Sequence, residues 1–334
     1  MDNELPSVDA SNHPYSALTP EVILQAVESL GLLADGRFYP LNSYENRVYQ
    51  IWLESGEIVV AKFYRPGRWS REAILEEHAI AQEFVDQELP VVAPAVVNQQ
   101  TLHDYQGFQL AIYPRQGGRA PAFDNNAHLE QLGRLVGRLH AIGARYRFEH
   151  RVSMSVQRFG WDNLTYLKDH DWVPAEMAHN FYQTVEQAVQ LAAQQTENLF
   201  SQPGIRLHGD LHAGNILWTD AGPHLVDLDD CMQGPAVQDI WMFLSGEKDD
   251  VEKQTEIILN GYSQFHDFDY ASLDAIESLR TLRMLNYTAW LARRWQDPAF
   301  PHHFPWFNTP NYWQEQLNQM REQVERLRMA LERD

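Results

Sequence analysis

The sequence predicts an α+β protein in two lobes, a small β-rich N-terminal lobe with one main helix and a larger, mainly helical C-terminal lobe. Three observations lead there. RVYQIWLE and EIVVAKFY are rich in β-branched and aromatic residues and are joined through Ser55 and Gly56, the composition of a hairpin. REAILEEHAIAQEFVDQ starts after a capping Ser70 and stops before Pro90, the marks of a helix. PRQGG at residues 114–118 then breaks the periodicity, and the chain after it reads as mainly helical.

In chain order, residues 1–18 read as a flexible tail, and Thr19 and Pro20 as the cap and first turn of a short helix ending at Gly31. The hairpin and the main helix follow, then VVAPAVV and FQLAIYP as two further strands. The N-lobe is therefore drawn over residues 19–114 and the C-lobe over residues 115–334. In the latter, Leu129, Leu132, Val136 and Leu139 recur at helical spacing, Gly143 marks the end of that helix, and another helix spans residues 175–198. Between Ile205 and Asp230 the pattern turns to short β-like pieces, ILW and HLVD, around a glycine-containing turn. Helices resume from Gln238, and SLDAIESLRTLRMLNYTAWLARRW reads as one long helix. Trp313, Leu317, Met320, Val324, Leu327 and Leu331 alternate by four and three residues, a seam expected to pack on the second lobe, with a dimer contact as the alternative. A monomer is expected.

Composition narrows the function. The 334 residues suffice for about two domains of the usual size. With 46 Asp and Glu against 26 Lys and Arg the net charge is −20. Such a chain repels phosphate backbones and anionic membrane surfaces, so neither nucleic acid nor membrane is expected as a partner. Cys231, the single cysteine, excludes an intrachain disulfide framework and a multi-cysteine zinc site. No apolar run approaches the roughly 18 residues of a membrane span. The opening MDNELPSVDASNHPYS lacks the basic and apolar regions of a signal peptide, and a cytoplasmic protein is expected.

The residues that promise chemistry are His208-Gly209-Asp210-Leu211-His212-Ala213-Gly214-Asn215, in a loop ahead of the β-like pieces. Asp210 and Asn215 stand five apart, and the hairpin that follows brings Asp227 of LVDLDD close behind them. Phosphoryl transfer asks for a carboxylate to orient and deprotonate the accepting hydroxyl, and for oxygen ligands that hold Mg²⁺ against the phosphates. An aspartate, a carboxamide and a second aspartate meet that demand. A zinc pair of His208 and His212 is disfavoured, because that spacing puts two imidazoles on one face only in a helix, and the two glycines make a loop. His208 is expected to brace the loop; His212 reads either as a phosphate contact or as structural.

HGDLHAGN resembles the catalytic loop of the aminoglycoside-phosphotransferase and choline-kinase group, with the protein-kinase spacing from aspartate to asparagine. The resemblance implies Asp210 as catalytic base, Asn215 as a magnesium ligand, and Asp227 as the metal-binding aspartate of the reaction. Leu228-Asp229 departs from the Phe-Gly of the kinase motif, which leaves Asp229 open as a second ligand. Lys62 in VVAKFY resembles the kinase strand lysine on the α- and β-phosphates, and its helix partner aligns as Glu77, with Glu76 as the alternative. No G-x-G-x-x-G precedes Lys62; LNSYENRV stands there instead, with Ser43 as the ATP contact. FQLAIYPR takes the position of the kinase hinge, with Tyr113 and Arg115 toward the adenine, and Asp239 is expected to support the catalytic loop from below. Lys62, Arg65, Arg68 and Mg²⁺ would reconcile an anionic chain with anionic ATP.

PLNSYENRVYQ, VVAKFYRPGRW, ILEEH, RLHGDLHAGNILW, VDLDD, GPAVQDIWM and DPAFPHHFPW together resemble the bacterial stress response kinase A family. That resemblance implies a bilobal protein-kinase-like fold and ATP- and Mg²⁺-dependent transfer of the γ-phosphate to a serine or threonine of a protein substrate, in a cytoplasmic stress-response enzyme. The rival acceptor is a small cationic or amino alcohol such as choline, an aminoglycoside or homoserine. Residues 247–277 hold nine acidic and two basic side chains, and Tyr287, Trp290, Trp295 and Trp306 are candidate cage aromatics. A basic peptide and a cationic alcohol both suit such a surface.

Overall fold

A computed structural model of the chain describes residues 13–123 and 125–332; the expected tail lies outside the described residues through residue 12. Thr19 accepts the Val22 N–H and starts α1 (Pro20–Glu28). β1 (Ala34–Pro40), β2 (Arg47–Leu53) and β3 (Ile58–Phe63) follow, then α2 (Arg71–Asp86), whose cap Ser70 accepts the Ala73 N–H. β4 (His103–Tyr105) and β5 (Phe108–Pro114) complete an antiparallel sheet in the order β1-β2-β3-β5-β4. Two expectations change here. ADGRFYP becomes β1 although its mostly exposed side chains show no apolar alternation. VVAPAVV is no strand: residues 91–97 make only isolated bridges, Val91 with Leu225 and Val97 with Gln100. Pro94 has no N–H for a ladder, and β4 takes the sheet edge instead.

Ile51, Ala61, Phe63, Leu110 and Ile112 of the sheet pack with Ile23, Ala26 and Val27 of α1. Tyr15 and Leu18, at the end of the expected tail, are buried in the same core. The Tyr15 hydroxyl donates to the Phe63 carbonyl at 3.1 Å, and its ring lies 4.4 Å from the Arg47 guanidinium and 5.3 Å from that of Arg65.

Helices dominate the remainder: α3 (Asn126–Gly143), α4 (Asp162–Asp169) and α5 (Ala175–Ser201). The β-like pieces are β6 (Ile205–Leu207), the hairpin of β7 (Ile216–Thr219) and β8 (Gly222–Leu225), and β9 (Met232–Gly234), which pairs with β6. Then come α6 (Gln238–Trp241), α7 (Lys248–Tyr262), α8 (Ile276–Arg294), α9 (Ala299–His303) and α10 (Pro310–Leu331). The long helix expected from Ser272 begins later, because Tyr270–Ala275 forms a tighter 3₁₀ turn capped by Asp269.

The described chain groups into two compact units. One comprises Pro14–Val152 and Ile205–Phe268; the other comprises Ser153–Gly204 with the chain from Asp269 onward. In the first, α3 and α7 approach backbone to backbone: a Cβ on Gly133 would lie 2.0 Å from the Ile258 carbonyl oxygen, so only glycine allows the contact. In the second, Trp313, Leu317, Met320, Val324 and Leu327 of α10 are buried, and Leu327 joins Ala192 of α5 and Leu282 of α8 in one apolar cluster. The seam read from the sequence is thus core. Among the described residues no helix is long and apolar enough to cross a membrane.

Candidate active site

All the geometry below lies in the unit built from Pro14–Val152 and Ile205–Phe268. In β3, Lys62 pairs with Val48 of β2 on one side and Ala111 of β5 on the other, which fixes its place in the sheet. Its ammonium is buried and donates to Glu77 Oε1 of α2 at 3.1 Å and to Asp227 Oδ1 at 3.2 Å, with Asp229 Oδ1 at 3.3 Å. Burial alone would lower its pKa; the carboxylates of Asp229, Glu77 and Asp227 outweigh that and hold it well above the ordinary lysine value. Of the two candidate glutamates, Glu77 is the one at Lys62. Glu76, one residue earlier on the helix, accepts the backbone N–H groups of Glu149, His150 and Arg151.

The loop after β6 is held from several sides. Asp239 accepts the N–H of His208 and of Gly209, each at 2.8 Å, and itself meets His140 Nε2 at 3.2 Å, while His140 Nδ1 lies 2.9 Å from the Tyr262 hydroxyl. His208 braces the loop by donating from Nε2 to the Val226 carbonyl at 3.0 Å. The Asn215 side-chain amide donates to the Asp210 carbonyl at 2.8 Å, and the Val226 N–H donates to the Asn215 carbonyl at 3.0 Å, which brings Asp227 beside Asn215. Asp227 has left-handed backbone angles, φ 60° and ψ 70°, and half of its side chain is open. Such a conformation in a non-glycine residue is sparsely populated and concentrates at functional sites.

Four residues in this neighbourhood were not read in these roles from the sequence. Arg68, expected to face ATP, instead pairs with Asp229 and Asp230, just past Asp227. Asp229 is buried between Arg68 and Lys62; burial would raise its carboxyl, but Arg68, Lys62 and Arg151 hold it far below the usual carboxylate range. Arg151, also buried, donates to the carbonyls of Leu228 at 3.1 Å and Asp229 at 2.7 Å, and stands 3.5 Å from Glu77 Oε2. Arg65, the other expected phosphate contact, is likewise committed: it lies 3.0 Å from Glu45 Oε1.

Tyr113, Ser43 and Arg115 are the remaining expected contacts. Tyr113 reaches Glu77 through Tyr64, whose hydroxyl is 3.0 Å from that of Tyr113 and donates to Glu77 at 3.3 Å. The Ser43 hydroxyl donates to the Asn46 carbonyl in the turn before β2. Arg115 is exposed and donates to Gln50.

The donor set suits a hard divalent cation. Asn215 gives its amide nitrogen to Asp210 and keeps a carboxamide oxygen, and Asp227 supplies a half-open carboxylate. Mg²⁺ takes one or two such oxygens and completes its shell with water and phosphate. Asp229, enclosed by Lys62 and Arg68, is not available as a second ligand in this arrangement. Among the described residues no group of three His, Cys, Asp or Glu side chains is placed to hold a metal by itself.

A model of the phosphotransferase enzyme family matches residues 38–276. Stress response kinase A of Escherichia coli is 42% identical over 310 residues, 93% of this chain and 94% of that protein. The serine/threonine protein kinase RdoA of Salmonella typhimurium is 42% identical over 310 residues, with the same shares. Among solved structures, amicoumacin kinase hAmiN in complex with AMP-PNP, Ca²⁺ and Ami shares the fold, with a TM-score of 0.71 at 18% identity over 91% of this chain and 92% of that one. The resemblance first drawn from short blocks thus extends along nearly the whole length, and the chain belongs to the phosphotransferase enzyme family and, within it, to the stress response kinase A group.

Proposed function

We propose that this phosphotransferase is an ATP- and Mg²⁺-dependent serine/threonine protein kinase of the cytoplasmic stress response, acting as a monomer. Residues 19–114 would hold the nucleotide, and residues 115–334 the catalytic loop, the metal and the acceptor. The observation that supports this most is Lys62, paired with Glu77 and reaching Asp227 at 3.2 Å, while Asp227 follows directly on the residue bonded to Asn215. In this reading Lys62 binds the phosphates, with Glu77 orienting its ammonium, and Ser43, Tyr113 and Arg115 contact the nucleotide. Asp210 takes the proton of the acceptor hydroxyl as that oxygen attacks the γ-phosphorus and the bond to the β-phosphate oxygen breaks. Held by Asn215 and Asp227, Mg²⁺ would neutralise phosphate charge. The names of the two relatives, both kinases and one a serine/threonine protein kinase, support a protein acceptor.

A second reading keeps the chemistry and changes the acceptor to a small cationic alcohol. It is favoured by the likeness in fold to amicoumacin kinase and by the nine acidic against two basic residues in the segment 247–277. Radiolabelled phosphate transfer into a cell extract, compared with transfer into small cationic alcohols, separates them. Label on serine or threonine of protein bands is expected; label only in small molecules would replace the first reading by the second. Asp210→Ala should lose transfer in either case, and Asp227→Ala should lose Mg²⁺-dependent transfer while keeping the fold. Wild-type transfer by Asp210→Ala would remove the base assignment.

A further inference from the structure

We infer that His212 is a positioning residue for Asp210: its imidazole, fixed at Nδ1 by the loop backbone, presents the Nε2 proton to the aspartate carboxylate. The inference rests on the reading of Asp210 as the base. The first observation is the Gly214 N–H, which donates to His212 Nδ1 at 2.9 Å. A neutral imidazole has one donor and one acceptor nitrogen, so accepting at Nδ1 leaves the proton on Nε2. The second is that Nε2 stands 3.4 Å from Asp210 Oδ2. A third is the packing of Gly214 against the ring: a Cβ there would lie 2.7 Å from His212 Cε1 and 3.0 Å from Nδ1. A larger residue there would push the imidazole from its present place.

The division of labour in the loop follows. The Asp210 main chain is held by two donors to its carbonyl, the His212 N–H at 3.0 Å and the Asn215 amide at 2.8 Å. His212 sets the protonated edge of its ring 3.4 Å from one oxygen of the side chain, a close polar contact. A carboxylate turns freely about its last torsion unless one oxygen is held, and turning it would misalign the oxygen that must meet the acceptor hydroxyl. His212 in this role touches neither phosphate nor acceptor.

A purely local role, capping the turn at Ala213–Asn215, is the competing account, and two substitutions tell them apart. His212→Asn keeps an acceptor near the Nδ1 position for Gly214 but has nothing at Nε2. His212→Gln keeps a donor near the Nε2 position and loses the cap. Phosphate release and autophosphorylation from radiolabelled ATP give kcat and KM, and a fluorescent ATP analogue gives nucleotide affinity. His212→Asn is expected to lower kcat by about tenfold to a hundredfold with nucleotide affinity unchanged, and His212→Gln to recover a large part of the loss. Wild-type kcat in His212→Asn, or weakened nucleotide binding in both, overturns the inference. Nitrogen NMR of the histidine rings in the unmodified protein tests it without any variant: His212 should carry its proton on Nε2, and the opposite tautomer would also overturn it. Asp210→Asn run alongside separates the two levels. If it retains wild-type turnover the base reading fails; if it is inactive while His212→Asn is normal, only the role of His212 fails.

Discussion

The Glu76 carboxylate accepts the Arg151 backbone N–H at 2.8 Å, and with it those of Glu149 at 2.6 Å and His150 at 2.9 Å. Glu77, next on α2, stands 3.5 Å from the guanidinium of the same Arg151 and holds Lys62. Two consecutive carboxylates therefore grip one loop, by its main chain and by its side chain. Arg151 extends the grip to the carbonyls that follow Asp227.

Glu76→Ala leaves three amides to water and should cost about 1–3 kcal/mol, with Glu76→Gln between it and wild type. Hydrogen exchange checks this directly. The amides of residues 149–151 should exchange faster in Glu76→Ala, well before global unfolding; unchanged protection would mean that something else holds the loop.

Lys62→Met removes the cation shared by Glu77, Asp227 and Asp229, two of which are buried. Stability should fall by about 3–5 kcal/mol, as expected when one partner of a buried pair is removed. Urea denaturation measures it. A variant as stable as wild type would show that Arg68 and Arg151 suffice to offset these carboxylates.

His78 is buried, with Nε2 2.8 Å from the Tyr64 hydroxyl and Nδ1 2.8 Å from Thr101 Oγ1. Burial, with Lys62 and Arg151 nearby, pushes its pKa down from the ordinary 6.5 to about 3. The folded state therefore refuses a proton that the unfolded chain accepts. Its contribution is intact above pH 6.5 and is lost as the pH falls from there toward 3. Between about pH 7 and pH 5 this group alone should take away about 2 kcal/mol. In His78→Gln the acid limb of the stability curve should be flatter by that amount; an unchanged limb would assign the acid sensitivity to other groups.

Gly133→Ala forces a methyl group against the Ile258 carbonyl, where the free distance is 2.0 Å, and should cost about 1–3 kcal/mol or more by pushing α3 and α7 apart. Gly117→Ala, whose nearest neighbour would be 4.0 Å away, is the control and should leave the thermal midpoint unchanged.

What could be read in advance was what is local. Asp210 and Asn215 lie in one loop, and Lys62 and Glu77 lie on a strand and the helix after it, so spacing and pattern reach them. Glu76 and Glu77 differ only in which face of α2 they occupy, and the apolar residues around both left that choice open. Arg68 is 161 residues from Asp229, and nothing near either predicts the pair. The expectation that Arg68 would meet phosphate came from seeking local cations to offset the anionic chain, whereas the buried carboxylates claim those cations first. Composition misled at VVAPAVV, where β-branched residues outweighed Pro94, and at β1, an edge strand with little to bury.

The acidic partners of the Lys62 ammonium arrive at very different moments of synthesis. Glu77 follows it by 15 residues and Asp227 by 165. At a ribosomal pace of about 5–20 residues per second, roughly eight to thirty seconds separate them. Through that interval the nascent N-terminal sheet must shelter or hydrate a cation whose final enclosure has not yet been translated. Glu77 serves then as a temporary counter-ion, and the last ion pairs close only when the aspartates emerge.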